Sequence, residues 1–360
     1  MKQPTLREIA KACGVHLSTV SRALSRNHSI PAPTRRRILK QAKAMGWKPN
    51  PFASAYVAHV RSTRRPRYQA TLGFVVPYGR AGHPLYVHRL CVKAARQRAE
   101  SLGFGLEEFW LGDYGHDFTQ FEKLLKNRGI PGFIFNPREL TPEALRGMDW
   151  SAFAVATWGA RLPELPLHHA ACHHVHGVRL MVDRLRQLGY RRVAMILSRQ
   201  QDYLADYAYF AAFDALAPDW PRPGWLRSLR LESWDSSPAQ DERIRRWIER
   251  HEPEVIIGEG NVWHVLGLMG VRVPAEMAFL TPFWSKPWKH IGGLYQRIEL
   301  TGANLVDLVS GQIFRNERGI PTAQKYMLNE GVWIDGPSVP PNAKRDGAEA
   351  LPMGHPKKEA

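Results

Sequence analysis

Between Gly14 and Arg26 the chain reads Val15-His16-Leu17-Ser18-Thr19-Val20-Ser21-Arg22-Ala23-Leu24. Helical periodicity sorts this run into two faces, with Val15, Val20 and Leu24 apolar and Leu17, Ser18, Thr19, Ser21 and Arg22 facing outward. The outward set suits polyanion and base recognition: an arginine gives a bidentate pair to guanine O6 and N7, and hydroxyls donate to phosphate. A second cluster is His168-His169-Ala170-Ala171-Cys172-His173-His174-Val175-His176. Imidazole and thiolate are zinc and copper ligands, but residues along a strand alternate faces and this run has no established ligand spacing. It reads as a metal site, as cleft-lining polar residues or as loop histidines. Its spacing speaks against the first, so neither a metal nor a cofactor is expected. The sequence has no Walker loop, GxSxG elbow, HExxH or motif-placed carboxylate pair, and Asp113, Asp117 and Asp202 read as loop and cap residues. An enzyme is not expected.

Short helices must position the first cluster. Thr5 is a helix N-cap with Glu8 three residues on, as in a capping box, and Leu6, Ile9 and Ala10 give that helix an apolar face. Gly14 ends it, so Cys13-Gly14-Val15 is the turn of a helix-turn-helix. A third helix runs from about Pro33 to Met45, opening with Thr34-Arg35-Arg36-Arg37, and Ile38, Leu39, Ala42 and Met45 close a small core. Residues 1–69 carry fifteen Lys/Arg against the single acid Glu8, so +14 of the chain's formal +17 lies in its first fifth. A basic head on a near-neutral body points to a polyanion partner, with a merely solubilising face as the alternative.

The 360 residues are enough for two or three domains. Cys13, Cys91 and Cys172 are far apart and odd in number, which predicts no disulfide framework and fits a reducing, cytoplasmic setting. No apolar run has the length of a membrane span or a signal-peptide core, so no membrane partner is expected. Beyond residue 70, strands are predicted at Thr71–Pro77, Leu106–Leu111, Gly132–Asn136, Ala152–Thr157, Arg192–Leu197, Val255–Gly258 and Met277–Leu280. Helices are predicted around 84–103, 117–128, 175–189, 201–217, 238–251 and 299–315, and Val178, Met181, Val182, Leu185 and Leu188 share one face. Such alternation means an α/β body of parallel sheets, with ligands at the carboxyl ends of strands. The expected division is a head at 1–48, a hinge at 49–70, a body at 71–336 and a disordered tail from 337 to 360, where the sequence turns to Pro, Lys, Ala and Glu without period.

TLREIAKACGVHLSTVSRALS, followed by TRRRILKQAKAMGWKPNP, resembles the DNA-binding head of the LacI family of transcriptional regulators. The resemblance extends to about residue 336 through LGYRRVAMIL, GVRVPAEMAFL and ELTGANLVDLVSG. It implies a sequence-specific regulator, a homodimer on a palindromic operator of double-stranded DNA. Its body would be two α/β lobes like those of periplasmic sugar-binding proteins, joined by three crossovers around a small effector. By that resemblance Leu17, Ser18 and Arg22 reach base edges, and Thr5, Thr19, Ser21 and Arg35 hold phosphates. Asn50, Ala53 and Tyr56 fall in a hinge that enters the minor groove, with Tyr56 where the family places a wedging Leu. His16 departs from the usual Ser or Thr cap.

The cleft positions depart further. His83-Pro84-Leu85-Tyr86 replaces Asn-Pro before two aromatics, His173-His174 an Asp-Asn pair, and Pro282-Phe283-Trp284 a Phe-Asp-Asp; Asn261-Val262 stands where Asn-Asp is expected. His83, Tyr86, Trp158, His173, Asn261, Phe283, Trp284 and Gln296 are the expected effector contacts, with a sugar as the family-weighted ligand. The alternatives are a pocket filled by its own side chains, giving an effector-independent protein, and a non-specific architectural DNA binder.

Overall fold

The computed structural model describes residues 4–24, 31–47, 69–77, 79, 86–115, 118–137, 145, 147–159, 165–220, 225–233 and 237–344. Its first three helices, α1 (Leu6–Cys13), α2 (Leu17–Leu24) and α3 (Ala32–Ala44), pack against one another. Their shared core is Ile9, Ala10, Cys13, Val20, Ala23, Ile38 and Ala42, flanked by Leu6, Val15, Leu24, Met45 and Trp47. Leu39, expected in this core, is 41% exposed. Ile38 and Ala42, one turn apart, already fill the inward face, and the 100° step to the next residue carries Leu39 to its margin.

The rest of the described chain builds two parallel-sheet lobes. The first begins with β1 (Ala70–Val76), α4 (Tyr86–Ser101), β2 (Phe104–Trp110), α5 (Phe118–Asn127), β3 (Gly132–Phe135), β4 (Ala154–Trp158) and β5 (His168–Cys172). The second follows with α6 (His174–Gln187), β6 (Val193–Ser198), α7 (Arg199–Leu204), α8 (Ala208–Ala215), β7 (Leu226–Leu231), α9 (Pro238–His251), β8 (Val255–Gly258), α10 (Gly260–Leu268), β9 (Ala278–Thr281) and β10 (Gly292–Tyr295). The chain then returns through α11 (Ile298–Arg315) and β11 (Tyr326–Asn329) to the first lobe, and ends in the second with β12 (Val332–Ile334). The sheet orders are β11-β5-β4-β3-β1-β2 and β12-β10-β9-β8-β6-β7, every pairing parallel except β12 with β10. Strands such as FVV and VIIG are continuous apolar runs because helices cover both faces of each sheet.

Seven strands and six helical regions were expected, and the structure adds five strands. β5, β7, β10, β11 and β12 are short or polar: HHAAC alternates nothing, and LRSLRL exposes Arg227 and Arg230 along one edge of the second sheet. The helix expected at 201–217 is two helices. Asp206 and Tyr207 take left-handed backbone angles between them, and the Asp202 carboxylate accepts the Tyr209 and Phe210 amides at 3.0 and 3.3 Å to start α8. Order does not stop at Gly336 either. Ser338 and Val339 are buried in the second lobe: the Ser338 hydroxyl donates to Phe279 O at 2.6 Å and accepts from Gly292 N at 2.9 Å, and Tyr190 donates to Pro340 O at 2.6 Å. A low-complexity composition concealed a segment whose small residues suit it to close approach; residues 345–360 lie outside the described set. Among the described residues no helix is long and apolar enough to cross a membrane.

The closest packing in the first lobe is α11 on α4, where Gly302 lies against the Cys91 backbone and a Cβ would run into the Cys91 carbonyl. Gly302→Ala therefore lowers stability by about 1–3 kcal/mol despite alanine's better helix propensity. Urea unfolding of the full chain measures it, and an unchanged or raised midpoint would show that the two helices separate freely.

Candidate nucleic-acid interface and ligand cleft

In the head, the Thr5–Glu8 capping box is complete: the Glu8 carboxylate accepts from Thr5 N at 2.6 Å and from the Thr5 hydroxyl at 2.9 Å, and that hydroxyl accepts from Glu8 N at 3.3 Å. The head's only acid is thus committed to a cap, and Thr5 meets its own helix before any phosphate. Gly14 closes α1 with φ +60°. At α2 the imidazole of His16 does the work of a hydroxyl cap, its Nδ1 accepting from Ser18 N at 3.3 Å and lying 2.9 Å from Ser18 Oγ. This leaves Leu17 and Ser18 exposed on the first turn of α2 and Thr19 half-buried. Ser21 and Arg22 belong to the same helix, and their side chains lie outside the described residues, as do Asn50, Ala53, Tyr56 and His83. Arg35 is half-buried on the first turn of α3, and Arg37 donates to Cys13 O at 3.2 Å, joining α3 to the end of α1. Arg7, Lys11, Arg36, Arg37, Lys40 and Lys43 are exposed.

In the body, the chain passes between lobes at Cys172–His174, Tyr295–Ile298 and Asn329–Val332. All three passages follow carboxyl ends of strands, and a cavity of about 320 Å³ lies against the first two. From the first lobe it is lined by Val87, His88, Asn136 and Trp158, and from the second by Phe283, Trp284, Tyr295 and Gln296. A neighbouring space of about 420 Å³, sharing Gly159, Cys172 and His174, continues past His173 to Tyr207 and Tyr326. Trp158, Phe283, Trp284 and Gln296 are therefore brought together. His173 caps α6, accepting from His176 N at 3.3 Å, and lines the neighbouring space. Tyr86 opens α4 half-buried, and Asn261, buried at the start of α10, lines neither space.

The expected set lacked His88, Asn136, His174 and Tyr295. Asn136 directly follows β3, where carboxyl-end logic could have found it; Tyr295 ends a four-residue strand too short to announce itself. The histidine run is β5 and the turn after it. His168 Nδ1 accepts from Lys325 N at 3.1 Å, and His169 Nδ1 lies 3.0 Å from Thr157 Oγ1, so each serves the sheet locally. Burial lowers the pKa of His88 to about 4 and that of His174 to about 4, the latter helped by His169 and His173, and pushes the Cys172 thiol up to about 12. Both imidazoles and the thiol are neutral at neutral pH. No Asp, Glu, Lys or Arg is found among the described residues lining the 320 Å³ cavity, and Asp206 lines the neighbouring space.

Residues 5–50 match the family of bacterial regulatory proteins called the lacI family. The chain is 24% identical over 197 residues to the HTH-type transcriptional regulator DegA of Bacillus subtilis, covering 54% of this chain and 55% of that protein. It is 28% identical over 196 residues to the HTH-type transcriptional regulator AscG of Escherichia coli, covering 53% and 54%. The chain thus spans about half the length of the curated relatives it matches. Over 94% of this chain and 99% of the other, the fold is that of the lac repressor dimer bound to operator and the anti-inducer ONPF, with a TM-score of 0.56 and 17% identity. A complex of the regulator CelR with cellobiose aligns at 0.57 and 18% over 93% and 99%. A periplasmic binding protein/LacI regulator from Alkaliphilus metalliredigens with D-xylulofuranose aligns at 0.55 and 15% over 75% and 98%.

His16→Ala removes the cap of α2 and costs about 1 kcal/mol, a roughly fivefold loss of amide-exchange protection across residues 17–24, which His16→Ser restores. Equal protection in all three proteins would assign the cap elsewhere. In the cleft, the unfolded chain takes up protons below about pH 6.5 that folded His88 and His174 refuse until about pH 4. The unfolded state binds more protons in that window, so stability falls as pH falls through it. The urea midpoint of the full chain drops between pH 6.5 and 4, and His174→Gln makes that slope shallower; an unchanged slope would deny the His174 contribution.

Proposed function

We infer that this chain, which carries a LacI-family head on a two-lobed body of the fold seen in operator-bound and sugar-bound regulators, is a sequence-specific DNA-binding transcriptional regulator. One observation carries the reading: on α2, the polar turn bearing Leu17 and Ser18 is held outward by the His16 cap, in a head whose only acid is consumed by the Thr5 cap. A helix with exposed side chains on its first turns, surrounded by cations, is the device that reads base edges in a major groove. Arg22, one turn beyond Ser18, falls on the same face by helical spacing.

Two such heads on a homodimer read the half-sites of a near-palindromic operator, since a two-fold protein requires matching symmetry in its DNA. Leu17, Ser18 and Arg22 supply base contacts, and Thr19, Ser21 and Arg35 hold phosphate, with Thr5 joining them by rotating its hydroxyl. Asn50, Ala53 and Tyr56 act in the minor groove as the hinge between a head at 1–48 and a body starting near 70. A small effector in the cleft shifts operator affinity through its different affinity for the two lobe arrangements. Such a regulator works in the cytoplasm, where its DNA is.

Selection of binding sequences from random and genomic double-stranded DNA, using the full chain at near-physiological salt, tests the reading. The expected result is a palindromic consensus. Arg22→Ala relaxes preference at one position of each half-site, by about 1–3 kcal/mol, whereas Arg35→Ala weakens all sequences about equally. Unselective, salt-sensitive binding by the unaltered protein would overturn the reading in favour of an architectural DNA binder.

A further inference from the structure

The 320 Å³ cavity is lined by the polar side chains Asn136, Gln201, Ser285, Gln296 and Thr301 beside aromatic ones. Polyols are held by many hydrogen bonds, yet three donors at this cleft are already spent within the protein. Gln296 Nε2 donates to Tyr209 Oη at 2.9 Å and to Pro282 O at 3.0 Å, the Tyr295 hydroxyl donates to Glu299 at 2.6 Å, and the Thr301 hydroxyl donates to Asn329 at 2.8 Å. Two other donors are unspent: the indole N–H groups of Trp158 and Trp284 are buried without a partner, and both tryptophans line the cavity. An indole N–H can only donate, so the complementary ligand group is an acceptor.

The walls are aromatic on both sides. In the first lobe Trp158 lies 5.8 Å from the His88 ring and 6.3 Å from Phe74. In the second, Trp284 meets Tyr295 at 5.6 Å, and Phe283 meets Tyr209 at 5.8 Å, each nearly edge-on. Aromatic walls give stacking and area burial to a flat ring. A charged ligand has no opposite charge to meet among the described lining residues, and burying an unpaired ion is costly.

We propose that the cleft binds an uncharged, planar aromatic molecule carrying hydrogen-bond acceptors, enclosed between the aromatic walls of the two lobes with Trp158 and Trp284 as its donors. A volume of about 320 Å³ falls in the range of pockets that enclose small organic ligands. The proposal rests on the regulator reading only in calling this ligand the effector. Binding itself is independent of DNA.

The test is thermal unfolding of the full chain, followed by circular dichroism, with 1 mM coumarin, 7-methoxycoumarin or chromone. Matched samples contain coumarin-3-carboxylate, glucose or cellobiose. At least one of the three uncharged aromatics raises Tm by about 2–4 °C, and the carboxylate and the sugars do not. Trp158→Phe and Trp284→Phe keep a ring and remove the N–H. Whichever variant retains the native far-UV spectrum binds the effective probe about tenfold more weakly. No shift from any uncharged aromatic, or an equal shift from the carboxylate or a sugar, overturns the proposal. Aromatic binding without a DNA consensus would overturn the regulator reading alone, and a consensus without aromatic binding would overturn this proposal alone.

Discussion

The side chain of Asn329 holds the junction between the lobes together. Its amide nitrogen donates to Gln296 O at 2.8 Å, its amide oxygen accepts from Thr301, and its own carbonyl accepts from His173 N at 2.9 Å. One buried residue on the third passage therefore touches the other two. An unpaired amide in such a site would be expensive, so these bonds are made together or not at all. The cavity depends on this: Gln296 and Thr301 line it because Asn329 fixes where the chain leaves β10 and starts α11. Any change in the angle between the lobes has to be absorbed around this knot.

The head was more legible than the cleft, for a physical reason. Its three helices depend on contacts close in sequence, caps at Thr5 and Gly14 and apolar spacing of three and four, all of which are local signals. Even there, Leu39 shows that periodicity names a face only to within one residue. The role of His16 lay beyond the cap preferences, because an imidazole meets an amide N–H only in one side-chain geometry. In the body, the strands that were legible are the ones buried on both faces. β5, β10 and β11 carry histidines, glycines and edge tyrosines instead, and β5 and β11 pair across more than a hundred residues of sequence. The cavity is built where these weakly marked strands end, so its tryptophans and His174 were visible as residue types while His88 and Tyr295 were not.

The two halves of the molecule treat polar groups in opposite ways. The head leaves all but one of its described cations exposed and spends its only carboxylate on a helix end, keeping a positive field facing outward. The cleft neutralises what it buries: its imidazoles are uncharged and its thiol is protonated. A site without charge of its own exerts little long-range field on the head. Any coupling between them would have to run through packing and lobe geometry.

The route of the chain sets an order of events during synthesis. The core of the head is complete within residues 6–47, ahead of both lobes in the order of synthesis. Neither lobe of the body has that independence, because the first needs β11 at residues 326–329 and the second needs Ser338 and Val339 against Phe279 and Gly292. A growing chain therefore has the residues of its basic head complete while both lobes still lack a strand or segment. Each lobe is closed only when these late segments are in place, so folding of the body waits on residues far along the chain from its first strand.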